Sequence, residues 1–91
     1  MSPRLEREAL SDGSFIDGSI ELIQPDRWRP HGVHYRLAWV QHSVCRTLFD
    51  NHYGKEDHYH VDGVERKYHF VSVDQLSEDF LTEIRKLGGP V

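Results

Sequence analysis

Val33, Tyr35, Leu37 and Trp39 alternate with His34, Arg36, Ala38 and Val40. That period of two marks a strand with one buried face, because successive side chains of an extended chain point to opposite sides. A helix would scatter those four large apolar groups around its axis, so the centre of this chain must be sheet. Gln41-His42-Ser43 offers a short turn and Val44 to Phe49 a returning strand, which together make a hairpin. Upstream, Phe15 to Ile23 is β-branched and broadly alternating, with Gly18 as a candidate bulge. Gln24 to Gly32, with two prolines, reads as a loop. Downstream, Asp50 to Asp57 is polar around Gly54 and reads as another. His58–Val61 and Arg66–Val71 flank Asp62-Gly63, a hairpin-turn signal.

Two segments read as helix. Leu5 to Leu10 predicts a short one, stopped by Ser11-Asp12-Gly13. The second is better marked. Ser72 with Gln75 three residues later is a capping-box pattern, and Val73, Leu76, Phe80, Ile84 and Leu87 form one apolar stripe with Leu81 beside it. Gly88-Gly89-Pro90 is its stop signal. The expected fold is α+β: an antiparallel sheet of five strands, the C-terminal helix on one face and a short N-terminal helix. The other sheet face is left open, a candidate binding surface on a chain of 91 residues.

Composition narrows the function classes. The length corresponds to one domain, residues 1–91, and 37% hydrophobic residues supply one small core. No apolar run is long enough for a membrane helix, and Met1 to Glu6 carries no apolar leader segment. A lone cysteine, Cys45, excludes an internal disulfide and a cysteine-based zinc site, and the expectation is a cytoplasmic protein without membrane contact. The net charge of −4 argues against a general nucleic-acid binder. Its distribution does not. Residues 1–26 hold two basic and six acidic side chains, residues 70–91 two and four, and residues 27–69 seven and five together with all seven histidines.

That middle segment carries the candidate chemistry. On a strand, His58 and His60 project from the same face and Tyr59 from the other. Paired imidazoles can serve as acid and base in phosphodiester cleavage, Lys55 can stabilise charge on a phosphate, and Asp57 or Asp50 can orient an imidazole. His-x-His is also a way to present two metal ligands, with His52, Asp50 or Asp57 as a third; that spacing is permissive, and no cofactor is expected from it. Arg27, Trp28, Arg29, Tyr35, Arg36, Arg46, Tyr53, Lys55, Arg66, Lys67 and Tyr68 interleave positive charge with aromatic rings, as RNA binding requires. Cys45 lies near His42 only in sequence and is not read as a nucleophile, and His31, His34, His42 and His69 read as surface residues.

Tyr35-Arg36-Leu37-Ala38-Trp39-Val40, Leu48-Phe49-Asp50-Asn51, Gly54-Lys55-Glu56-Asp57-His58-Tyr59-His60, Tyr68-His69-Phe70 and the Asp79-Phe80 helix resemble the TumE-type family of small toxins. The resemblance spans about residues 13–85, and Phe49 stands where the family usually carries a tyrosine before Asp-Asn. It implies a cognate antitoxin, typically a helix-turn-helix DNA-binding protein, and a sheet-plus-helix layout like that of RelE-like toxins, many of which cut messenger RNA. Its motif selects Asp50, Asn51, Lys55, Asp57, His58 and His60. The expectation is a toxin acting on RNA as an endoribonuclease, with or without the ribosome. His58 and His60 would be acid and base, Lys55 and Arg36 would hold the phosphate, and Asp57 would orient an imidazole. Asp50, Asn51, Tyr35, Arg46 and Tyr53 would contact substrate. The rival is a non-enzymatic module whose open sheet face binds a protein partner, with the histidine-rich loop as a structural or metal-stabilised element.

Overall fold

A computed structural model describes residues 4–91, with side chains from Arg7 onward. Six strands, β1 (Arg4–Ala9), β2 (Phe15–Leu22), β3 (Val33–Gln41), β4 (Val44–Asp50), β5 (His58–Val61) and β6 (Val64–Lys67), precede one helix, α1 (Val73–Lys86). The sheet is an antiparallel meander in which each strand pairs with the next in sequence. The architecture is α+β, as expected.

The N-terminal segment is the main correction. Residues 4–9 form β1, not a helix, paired with β2 through Glu8↔Ile16 and Ala9↔Phe15. Ser11-Asp12-Gly13, expected to stop a helix, instead closes a hairpin. Leu10 N–H donates to the Ser14 carbonyl at 2.8 Å, and Asp12 accepts the Ser14 N–H at 2.9 Å. Six residues are too few to hold a helix by their own propensity, so cross-strand pairing decides. Arg7 lies over the Phe15 ring, 4.2 Å from its centroid, which helps pin the new edge.

The bulge anticipated at Gly18 lies across from it, in β1 between Leu5 and Glu8. Gly18 itself pairs regularly with Leu37, and a Cβ there would collide with the Arg36 carbonyl. Near the other edge, β6 covers Val64–Lys67 rather than Arg66–Val71. Asp62 and Gly63, both at positive φ (48° and 82°), make a two-residue turn of the twist-matching kind, so the strand resumes at once.

The alternation read from β3 holds across the sheet. Ile16, Tyr35, Leu37, Trp39 and Phe49 are buried against Leu76, Phe80 and Ile84 of α1. Burying each such side chain stabilises by roughly 1.5–3 kcal/mol. Ser72 caps α1, its Oγ accepting the Gln75 N–H at 3.1 Å, while the Gln75 side chain turns to Asp79. Tyr68 ties the helix to the sheet, donating its hydroxyl to Asp79 Oδ2 at 2.6 Å.

Candidate active site on the open face of the sheet

Residues paired across strands project from the same face, so the register defines rows of neighbours. On the face away from α1 one row runs Ser19, Arg36, Asp50, His58, Lys67. The next runs Asp17, Ala38, Leu48, His60, Glu65. Arg36, Asp50, His58 and His60 are therefore brought onto one surface, as anticipated. Tyr59 points to the core and stacks on Phe49 at 4.8 Å between centroids.

The two imidazoles stand 5.2 Å apart between ring centroids, edge to face. His58 Nδ1 lies 2.9 Å from the Glu56 carbonyl oxygen. A carbonyl only accepts, so Nδ1 carries the proton and Nε2 is left with its lone pair. His60 Nε2 lies 3.4 Å from Glu65 Oε1, and the Lys55 ammonium bonds the same oxygen. The Lys55 hydrogen bond, helped by the Lys55 charge, holds the Glu65 carboxyl below its ordinary range.

A shallow depression of about 350 Å³ borders this cluster, lined by Lys55, His58, Glu65, Lys67 and Trp28 among others. Trp28 is presented by a small turn in which Asp26 accepts the backbone N–H groups of Trp28 and Arg29, at 3.1 and 2.7 Å. The Arg29 guanidinium closes on the same carboxylate at 2.6 Å and holds Asp26 below the usual range. Trp28 packs edge-on against Tyr53, 4.3 Å between centroids, so Tyr53 stands at the rim of the depression.

Other anticipated site residues lie elsewhere. Asn51 is fully buried: its Nδ2 donates to the Val33 carbonyl and Asp57 Oδ1 at 2.8 and 2.7 Å, and its Oδ1 accepts the Tyr35 N–H at 3.0 Å. Asp57 does orient an imidazole, but it is that of His31, at 2.8 Å from Oδ2. His31 Nδ1 accepts the Val33 N–H at 3.2 Å, and the ring stacks on Phe70. Both of its nitrogens are engaged, so His31 is a tie between loops rather than a surface residue. Tyr35 is fully buried on the helix side, where burial and then the Asp57 charge push its phenol far above its ordinary value. Arg46 is held by Asp62 at 2.9 Å and Gln41 at 2.7 Å, against Trp39 near the far end of the β3–β4 hairpin. Partial desolvation raises the Cys45 thiol, away from nucleophile behaviour.

Sequence reasoning missed Glu65, and singled out Lys67 only among the scattered basic residues. The signal was available: a two-residue turn at Asp62-Gly63 pairs His60 with Glu65 and His58 with Lys67.

No helix among the described residues is long and apolar enough to cross a membrane. No curated protein and no solved structure matches the chain. A family model described as Toxin TumE matches residues 3–87, nearly its whole length. Its members being toxins, a cognate antitoxin is the implied partner. The protein belongs to the TumE toxin family.

Proposed function

We propose that this protein is the toxin of a toxin–antitoxin pair and acts on RNA, cleaving a phosphodiester bond beside the β5–β6 hairpin. The observation that carries the reading is the His58 ring. Its Nδ1–H is anchored on the Glu56 carbonyl and its Nε2 lone pair is free, at a depression that also bears Lys55 and Lys67. His58 Nε2 takes the proton of the ribose 2′-hydroxyl as its oxygen attacks phosphorus. The bond from phosphorus to the 5′-oxygen breaks, and His60 delivers a proton to that oxygen. Glu65, 3.4 Å from His60 Nε2, positions the ring for this donation. The products are a 2′,3′-cyclic phosphate and a 5′-hydroxyl.

Lys67, the direct cross-strand neighbour of His58, is the cation best located for the scissile phosphate. Lys55 is engaged with Glu65 and acts first on that carboxylate. Arg36 is two strands from His58, roughly 10 Å at ordinary strand spacing, and suits a flanking phosphate. Asp50 stands between them and repels phosphate, which favours an RNA path toward β6. Trp28 and Tyr53 offer stacking surfaces for a base. A RelE-like layout belongs to this reading, supported by the shared sheet-plus-helix plan. A helix-turn-helix antitoxin and a cytoplasmic site of action belong to it as well.

The test is incubation of the untagged protein with a single-stranded oligoribonucleotide and its deoxy counterpart. Cleavage of RNA alone, leaving cyclic phosphate ends and lost in His58→Ala, is the expected result. Cutting of both strands, or growth arrest that survives the His58→Ala, His60→Ala double variant, overturns the acid–base assignment.

A further inference from the structure

We propose that His58, His60 and Glu65 form a binding site for a divalent transition metal of the Zn²⁺ type. One nitrogen of each imidazole and one oxygen of the carboxylate lie within 4.8 Å of one another. In a tetrahedral Zn²⁺ site with bonds near 2.0–2.1 Å, ligand atoms sit about 3.3 Å apart, so the present separations must close by about 1.5 Å at most. One pair is already there: His60 Nε2 and Glu65 Oε1 are 3.4 Å apart.

Three further features favour a metal over a chance gathering. The Glu56 carbonyl at 2.9 Å fixes His58 in the tautomer whose Nε2 can ligate, the outer-sphere partner that metal-bound histidines ordinarily have. The ligands stand on a four-residue by four-residue hairpin closed by a two-residue turn, with His60 and Glu65 directly paired, so their backbones are preorganised. The adjoining depression leaves room for water at a fourth position. Two imidazoles and one carboxylate suit Zn²⁺ and its neighbours Ni²⁺ and Cu²⁺ rather than Mg²⁺ or Ca²⁺, which prefer oxygen.

Lys55 decides how tightly the site holds. Its ammonium already neutralises Glu65 and must yield when the ion enters. Removing that amine should therefore strengthen metal binding, an effect opposite to what loss of an ordinary binding residue gives. The inference does not rest on the RNA reading. Were both to hold, the ion would occupy the Nε2 lone pair that base catalysis uses, and metal binding would inhibit cleavage.

The experiment is calorimetric titration of zinc chloride into the untagged full chain, without RNA. Saturable binding of one ion per chain is expected, weakened about tenfold or more in Glu65→Gln and in His60→Ala. Lys55→Met should tighten it, and His42→Ala, in the distant exposed β3–β4 turn, should leave it unchanged. Stoichiometry far below one ion per chain overturns the site. So does unchanged affinity in the His58→Ala, His60→Ala variant. Circular dichroism of each variant separates a lost site from a lost fold, and RNA cleavage, assayed separately in chelator, stands or falls without affecting either outcome.

Discussion

Two histidine–carboxylate clusters, His31 with Asp57 and His58 and His60 with Glu65, behave as opposites. Asp57 and His31 are saturated: both ring nitrogens and both carboxylate oxygens of the pair have partners, and Phe70 stacks on the ring. His60 and Glu65 are partly exposed and His58 is 5% exposed, its Nδ1 anchored and its ring bordering a shallow depression. The residue types are the same. What separates a tie from a reactive site is the number of unfilled valences on the imidazole rather than exposure, since the His31 side chain is 20% exposed and His58 only 5%.

That contrast is open to direct attack. The largest expected effect is on the His58 cluster: His58→Ala should lower RNA cleavage by about 10²–10⁴-fold, far beyond what its loss of about 1–2 kcal/mol in stability, expected for a 5%-exposed ring bonded to the Glu56 carbonyl, could account for. If cleavage persists, the His58 cluster is no more catalytic than the saturated one. Next comes Asn51→Ala, which orphans the Tyr35 N–H and the Val33 carbonyl, both at buried positions, and one oxygen of the partly buried Asp57. A loss of about 3 kcal/mol in urea-unfolding stability is expected, with the folded fraction still active. His31→Ala should cost less, about 1–2 kcal/mol, again without change in cleavage. A cleavage defect in folded His31→Ala would erase the distinction between the clusters.

The smallest effect is in the acid limb. Asp26, Asp62 and Asp12 are held below the ordinary 3.8, and Glu65 below 4.5, by their hydrogen bonds to Arg29, Arg46, Ser14 and Lys55. Each binds a proton less readily folded than unfolded, so its contribution is complete above about pH 4.5 and is lost as pH falls through the depressed values. Stability measured by urea melts should therefore decline below that pH, and less steeply in Asp26→Asn.

Much of this was legible residue by residue. The alternation in Val33 to Val40 gave β3 its buried face, and that face is the one packed against the stripe Leu76, Phe80, Ile84. The polar run after Asp50 is a loop, and His58 and His60 do share a side. Where local signals were short, pairing partners overrode them. Residues 4–9 had the look of a helical turn or two, yet β2 offered a free edge. In the same way Asp50 and Asn51, adjacent in sequence, were read together and then parted by the pleat. One faces outward beside Arg36 and His58, and the other is sealed under the sheet.

What the sequence by itself determined is therefore the division of side chains between two faces, because a period of two is a local property of an extended backbone. It also determined the helix, whose cap, stripe and stop all lie between Ser72 and Pro90 and are set by local turn geometry. Which outward residues become neighbours was decided only by tertiary pairing. Register set Glu65 against His60 and Lys67 against His58, and loop closure gave Asp57 to His31 instead of to either. Chemistry needs atoms a few ångströms apart, and for residues on different strands that separation is a property of register, which depends on how the strands are joined and aligned.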